Sequence, residues 1–238
     1  MKRSLRAAPA LIAFAWAVGA AGPGRATLID FESIPGGAPS DGLAIGTQFL
    51  ATAGVSFSLE GGGLPLLAQV GNPTSAFAPA DTPDDGARHG SFFLNDDGNP
   101  FDSLEIAPLR VTYSVAAASV SGDLIDVDFD EAIRIEARDA NDQILEVVVI
   151  CNQNASASCT TLGGETGSFT TGDGVTTSWS IERAQADIRS LRIVGERNSS
   201  GGFGLAFDNF DTGVVPEPGA SLLLACAVAL LAHPPRRR

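Results

Sequence analysis

Leu124-Ile125-Asp126-Val127-Asp128-Phe129-Asp130-Glu131-Ala132-Ile133-Arg134-Ile135-Glu136-Ala137-Arg138 alternates apolar and charged residues twice, with a polar break at Asp130-Glu131. Side chains of a strand point to opposite faces in turn, so a period of two marks a strand with one buried face. In the first half Ile125, Val127 and Phe129 form the inward set, and Asp126, Asp128 and Asp130 the outward row. In the second half Ile133 and Ile135 face inward, against Arg134, Glu136 and Arg138. This places Arg134 and Arg138 across from the acidic row, a match worth a few tenths to about 1 kcal/mol per pair.

Working outward, β-branched, aromatic or alternating residues recur at 27–31, 54–59, 66–70, 91–95, 104–113, 116–120, 144–150, 167–171, 176–182, 191–195 and 204–210. Gly, Asn, Asp and Pro clusters separate these runs, as at Asp139-Ala140-Asn141-Asp142. Only 183–189 suggests a helical turn. Many short strands without alternating helices predict an all-β fold, an antiparallel two-sheet β-sandwich of jelly-roll-like form. The stretch from Gly71 to Gly90, with Asp81, Asp84 and Asp85 inside it, reads as a mobile insertion.

The ends of the chain have a different character. Lys2, Arg3 and Arg6 precede an apolar run from Ala7 to Ala21, and small residues follow at Gly24-Arg25-Ala26. That order is a signal peptide over residues 1–26, cut between Ala26 and Thr27, with a cut after Ala21 as the alternative. At the other end, Val215-Pro216-Glu217-Pro218 leads into Gly219-Ala220-Ser221, an apolar run to Ala232 and a closing Arg236-Arg237-Arg238. As a helix, Gly219 to Ala232 would be about 21 Å long, short for a bilayer, and the arginines would stay cytoplasmic. The order resembles the PEP-CTERM sorting tail of exported bacterial proteins, the substrates of exosortase-type membrane proteases. The resemblance implies a Gram-negative host, transient insertion of residues 214–238 in the inner membrane, cleavage near the motif, and a destination at the cell surface or in the extracellular matrix. A plain C-terminal anchor is the rival reading.

Between the two signals lies one domain, 27–213, large enough for a core. Removing the ends leaves eight of the 15 basic residues and 27 of the 28 acidic ones, a net charge near −19 with no lysine. Nucleic acid and anionic lipid surfaces would repel such a domain. The charge serves solubility outside the cell or a need for divalent cations.

Cys226 falls in the tail, leaving Cys151 and Cys159 around a seven-residue polar stretch. In an exported chain this spacing predicts a disulfide closing a short loop. A zinc pair would lack further ligands, since His89 is the only histidine between 27 and 213. His89, beside Arg88 and after Asp84-Asp85, reads as a loop residue instead of a ligand or base.

The domain opens with Asp30-Phe31-Glu32 and closes with Phe207-Asp208-Asn209-Phe210; Gly46-Thr47-Gln48-Phe49 and Gly54-Val55-Ser56-Phe57 follow the opening strand. These motifs resemble exported jelly-roll domains of the MAM-like and carbohydrate-binding-module-like types. That resemblance implies first and last strands side by side with a structural calcium between them. Asp30 and Glu32, two apart on a strand, would join Asp208 as Ca²⁺ ligands, with Asn209 adding an amide oxygen. The plain alternative is a set of solvated edge charges. Asp126-Val127-Asp128-Phe129-Asp130 opens like an EF-hand, but Glu131 stands where Gly is needed and Ala137 where Glu is needed, so it reads as a strand face.

No nucleophile elbow, zinc-binding helix or phosphate loop occurs in the sequence. The domain is poor in rings that stack on sugars, with only Trp179 and Tyr113 beside the phenylalanines, and Trp179 reads as core. The missing signatures point to a non-catalytic exported surface or matrix protein; the resemblance of the tail implies association with exopolysaccharide or biofilm, and signal peptidase and the exosortase-type protease as partners. A calcium-dependent carbohydrate-binding module is the alternative, and a carboxylate-dependent polysaccharide hydrolase or lyase the second.

Overall fold

The computed structural model describes residues 27–73, 82–83, 85–96, 107–127, 130–152, 156–163, 169–170, 174–197 and 206–213. The expected signal peptide (1–26) and sorting tail (214–238) lie outside the described residues.

Two sheets face each other. The first contains β1 (Leu28–Ile29), β3 (Leu66–Gln69), β4 (Phe92–Asn95), β6 (Ser119–Ile125), β10 (Thr176–Glu182) and β12 (Ala206–Asp211). Its order is β10-β6-β12-β4-β3, with β1 also paired to β12. The second sheet contains β2 (Val55–Leu59), β5 (Leu109–Ala117), β7 (Glu131–Arg138), β8 (Ile144–Asn152), β9 (Phe169–Thr170) and β11 (Ile188–Arg197). Its order is β2-β5-β11-β7-β8-β9. The expected all-β sandwich is present, and its strand pairs are antiparallel apart from β8 with β9. Three short helices interrupt the strands: α1 (Leu50–Ala53), α2 (Gly86–His89) and α3 (Ser156–Thr161).

Alternation builds the space between the sheets. Phe57, Val111, Leu191, Ile193 and Ile135 from the second sheet meet Val120, Leu124, Phe207 and Phe210 from the first in one buried cluster. The four short motifs converge there. Phe31 lies 5.8 Å from Phe49, 5.9 Å from Phe57 and 6.3 Å from Phe210, and Phe57 lies 5.5 Å from Phe210. Edge-to-face rings of this kind contribute about 0.5–1.5 kcal/mol per pair beyond area burial. The polar residues of those motifs shape the backbone that delivers the rings. Gln48 accepts from Gly46 N at 2.6 Å and donates to Ala44 O at 2.7 Å, and Gly54 ends α1 at φ 70°.

Several expectations change. Arg134 and Arg138 do not lie across from the 126–130 row, because β6 belongs to the first sheet and β7 to the second. Asp126, at φ 65°, takes the left-handed conformation and resets the alternation. Ile125 therefore joins Ala68, Phe93 and Ala206 on the outer face, while Leu124 and Val127 enter the core. Asp126 is buried and accepts from Gly174 N at 2.9 Å, so it is not part of a solvated row. Asp128 and Phe129 lie outside the described residues. Without a facing acidic strand, Arg134 and Arg138 turn to Glu136 on their own strand, at 2.7 and 2.9 Å. Residues 183–189 form no helix: Arg183 N is tied to Ala118 O at 2.7 Å, and the chain bends into β11.

First and last strands do lie side by side, with Leu28 opposite Asp211 and Ile29 opposite Phe210. The expected Cys151–Cys159 disulfide is also present, with Cα atoms 5.6 Å apart. Both cysteines are buried against Ala132, Cys151 on β8 and Cys159 within α3.

Candidate functional site

The polar residues of chemical interest gather on the outer face of the first sheet. Along β10, Trp179 and Ile181 enter the core, which turns Thr176, Ser178 and Ser180 outward. Register then aligns Ser178 with Asp123 of β6, and Asp123 with Asp208 of β12. The neighbouring row joins Thr176, Ile125 and Ala206.

Helix α2 lies across these rows. Asp85 caps it by accepting from Arg88 N at 3.2 Å, a preferred residue in that position. The helix ends at Gly90, φ 61°, where an added Cβ would collide with the Glu32 carboxyl group. That close approach lets Glu32 Oε1 accept from Ser91 N at 2.6 Å and from Phe92 N at 2.8 Å. The C-terminal part of the expected mobile insertion is thus a fastened helix.

Two side chains of α2 reach down to the sheet. His89 Nδ1 lies 2.9 Å from Asp208 Oδ2, and its Nε2 lies 2.6 Å from Thr176 Oγ1. The side chains of His89 and Asp208 are both 0% exposed. Burial pushes the Asp208 carboxyl up to about 6, against the opposing pull of the His89 hydrogen bond and the Asn209 N–H. His89 is therefore a core residue of the interface under α2, contrary to its expected place in a loop.

Arg88 reaches the same sheet one row away. Its Nε donates to Asp123 Oδ2 at 2.9 Å, and its Nη2 donates to Asp123 Oδ1 and to Ser178 Oγ, each at 2.5 Å. Ser178 Oγ donates to Asp123 Oδ1 at 2.8 Å, and Asn209 Nδ2 donates to Asp123 Oδ2 at 2.9 Å. Burial raises the Asp123 pKa, but the hydrogen bonds from Arg88, Asn209 and Ser178 overcome it, and the net shift is downward. The side chain of Asp123 is 5% exposed and that of Arg88 is 41%, so the carboxylate holds the guanidinium from beneath.

Beside this network opens a cleft of about 460 Å³, whose polar lining includes Arg88, Ser121, Asp123, Ser178, Ser180 and Asn209. Trp179 also borders it, but packs against Phe210 at 6.2 Å and across Gly122, where a Cβ would meet its ring at 2.9 Å. The indole Nε1 is buried and has no hydrogen-bond partner among the described residues.

Asp208 and Asn209 thus join His89, Arg88 and Asp123, while Asp30 and Glu32 are engaged elsewhere. The expected strand through 30–32 ends at Ile29, and Phe31 at φ 56° turns the chain, so Asp30 and Glu32 do not share a strand face. Asp30 Oδ1 accepts from Glu32 N at 3.2 Å. Among the described residues no three His, Cys, Asp or Glu side chains gather as a metal site. The sequence does not single out Arg88, Asp123, Thr176 or Ser178. Asp85 as N-cap residue and Gly90 as the terminating glycine were the local signals of a helix there.

Asp208, His89 and Thr176 form a line of carboxylate, imidazole and hydroxyl like that which activates a nucleophile. Here it is closed to solvent at two of its three members, and it clamps α2 to β10 and β12.

No family model and no curated protein matches the chain. Among solved structures, the enzymatically active domain of tailspike protein 4 of bacteriophage CBA120 aligns with 70% of this chain and 20% of that chain, at 11% identity and a TM-score of 0.34. The chain therefore spans about one fifth of that chain's length.

Proposed function

We propose that the domain is a non-catalytic, exported module of the bacterial cell surface or extracellular matrix, jelly-roll-like in form and delivered by an exosortase-type sorting system into exopolysaccharide. The observation that carries the non-catalytic reading is the closure of His89. Both ring nitrogens have partners inside the protein and the side chain is 0% exposed, so the single imidazole of 27–213 cannot meet a substrate without displacement of α2. Support for export comes from the Cys151–Cys159 bridge, which belongs to an oxidising compartment. The Val215-Pro216-Glu217-Pro218 motif and Arg236-Arg237-Arg238 supply the address, with signal peptidase and the exosortase-type protease as processing partners. Intact-mass measurement of the exported protein tests the sorting: loss of both ends is expected, and a retained Arg238 would sink it. A reducing-end assay on extracellular polysaccharide tests the other half, and sustained release of new ends would assign a hydrolase instead.

A further inference from the structure

We propose that the cleft between β6, β10 and α2 binds a neutral saccharide unit through its hydroxyl groups. The inference deepens the matrix reading above, since it names the chemical class the domain would hold outside the cell. The space, about 460 Å³, opens broadly to solvent and offers one face to a mono- or disaccharide instead of enclosing it.

The lining is organised before any ligand arrives. Asp123 accepts from Arg88, Ser178 and Asn209 together, so three side chains with different hydrogen-bonding capacity are held at one end of the cleft. Among the described residues, Nη1 of Arg88 has no hydrogen-bond partner, and Ser178 Oγ and the Asn209 amide oxygen retain acceptor capacity. Ser121 and Ser180, opposite each other on β6 and β10, add two hydroxyls that both donate and accept. Leu28, 57% exposed, supplies an apolar edge for the C–H face of a sugar ring.

Charge selects the class. The Arg88 guanidinium is neutralised by Asp123 beneath it, and the domain as a whole is strongly acidic, so a uronate, sulfate or phosphate gains little from Arg88 and is repelled from a distance. A neutral polyhydroxylated ring meets donors and acceptors without that penalty. No aromatic platform completes the site, because Trp179 lies on the core side against Phe210. Affinity therefore rests on hydrogen bonds exchanged with water and falls in the millimolar range.

The test uses the exported protein, isotope-labelled and titrated by NMR with the methyl glycosides of glucose, galactose and mannose, and with glucuronic acid as the charged counterpart. Saturable shifts centred on the amides of Ser121, Ser178, Ser180 and Asn209 are expected for at least one neutral glycoside. Ser178→Ala should weaken that binding about 2- to 10-fold, the span of one lost hydrogen bond. Ser121→Ile should abolish it, since a β-branched side chain suits a strand while filling the floor; an unchanged melting temperature shows the fold intact. Absence of saturable shifts with all three neutral glycosides up to 50 mM, shifts mapping to another face, or tighter binding of glucuronic acid would each overturn the proposal. The intact mass of the same preparation reports sorting separately. Binding by a protein with an uncut tail removes the sorting reading and keeps the cleft, and a cut tail without binding does the reverse.

Discussion

His89 and Asp208 meet 2.9 Å apart, 119 residues distant in sequence, with neither side chain reaching solvent. One comes from a four-residue helix and the other from the last strand of the domain. A helix this short has little stability of its own, because nucleation fixes several residues for few hydrogen bonds. Its position therefore depends on what it touches, and the His89 contacts with Asp208 and Thr176 are joined by the Arg88 contacts with Asp123 and Ser178.

The buried pair should leave a signature in pH. Asp208 titrates at about 6 in the folded protein, above the ordinary carboxyl value of 3.8, because burial disfavours its charge. A raised folded pKa contributes stability that is full below the unfolded pKa and is lost as pH rises through the folded one. Asp208→Asn removes this titration. Between pH 4 and pH 7 the stability of the native protein should fall relative to Asp208→Asn by on the order of 2–3 kcal/mol, measured by denaturant unfolding at fixed ionic strength. Asp123 has the opposite sign, with its loss of stability below about pH 4, outside that window. A pH-independent difference between the two proteins would remove the assigned role of Asp208.

How much of this was legible beforehand depends on the range of the interactions. The sandwich was, because alternation in β7 and β10 is a local property, and so was the disulfide, whose ends are eight residues apart. The separation of β6 from β7 was not, since it turns on the left-handed φ of Asp126, a conformation aspartate shares with asparagine and glycine. The site was hidden for a stronger reason. Arg88, Asp123, Ser178 and Asn209 come from four separate elements, brought together by strand register and by the seating of α2 across the sheet. Asp208 stood out in the sequence as a cation ligand or a solvated edge charge, and nothing local announced His89 beside it, because that neighbour is 119 residues away.

Gly90 offers a test of how α2 is fastened at its end. Its φ of 61° disfavours any other residue, and a methyl group there would collide with the Glu32 carboxyl. Gly90→Ala should cost about 1–3 kcal/mol, the scale of a strained backbone position. Hydrogen exchange at Ser91 and Phe92, whose N–H groups donate to Glu32, should accelerate at the same time. Native-like exchange at both amides would separate Glu32 from the fastening of the helix.

The disulfide closes a short loop, so its effect should be modest. Loop-closure reasoning gives roughly 2–3 kcal/mol for a ring of this size, and Cys151→Ser adds a hydroxyl beside buried Ala132. The variant should remain folded with a lower melting temperature, since Cys151 and Cys159 form a satellite cluster separate from the main core. Loss of the cooperative transition would mean that α3 and β8 carry more of the fold than that packing implies.

Chelation addresses the acidic residues directly. Asp208 is engaged by His89, Glu32 by two backbone N–H groups and Asp30 by the turn that follows it, and among the described residues these carboxylates do not gather around one point where a cation could sit. Such a cation would stabilise the native state by mass action, and extracellular modules bind calcium as weakly as ~10⁻⁴ to 10⁻³ M, so a titration must extend to several millimolar. The expected result is a melting temperature unchanged by chelator and by added Ca²⁺. If calcium raises the melting temperature, and Asp30→Asn removes that rise while leaving the pH signature of Asp208 in place, Asp30 becomes a ligand and the chain ends a cation site. The comparison is decisive because Asp208→Asn alone would alter both the imidazole contact and any metal at once, whereas Asp30 has no bond to His89.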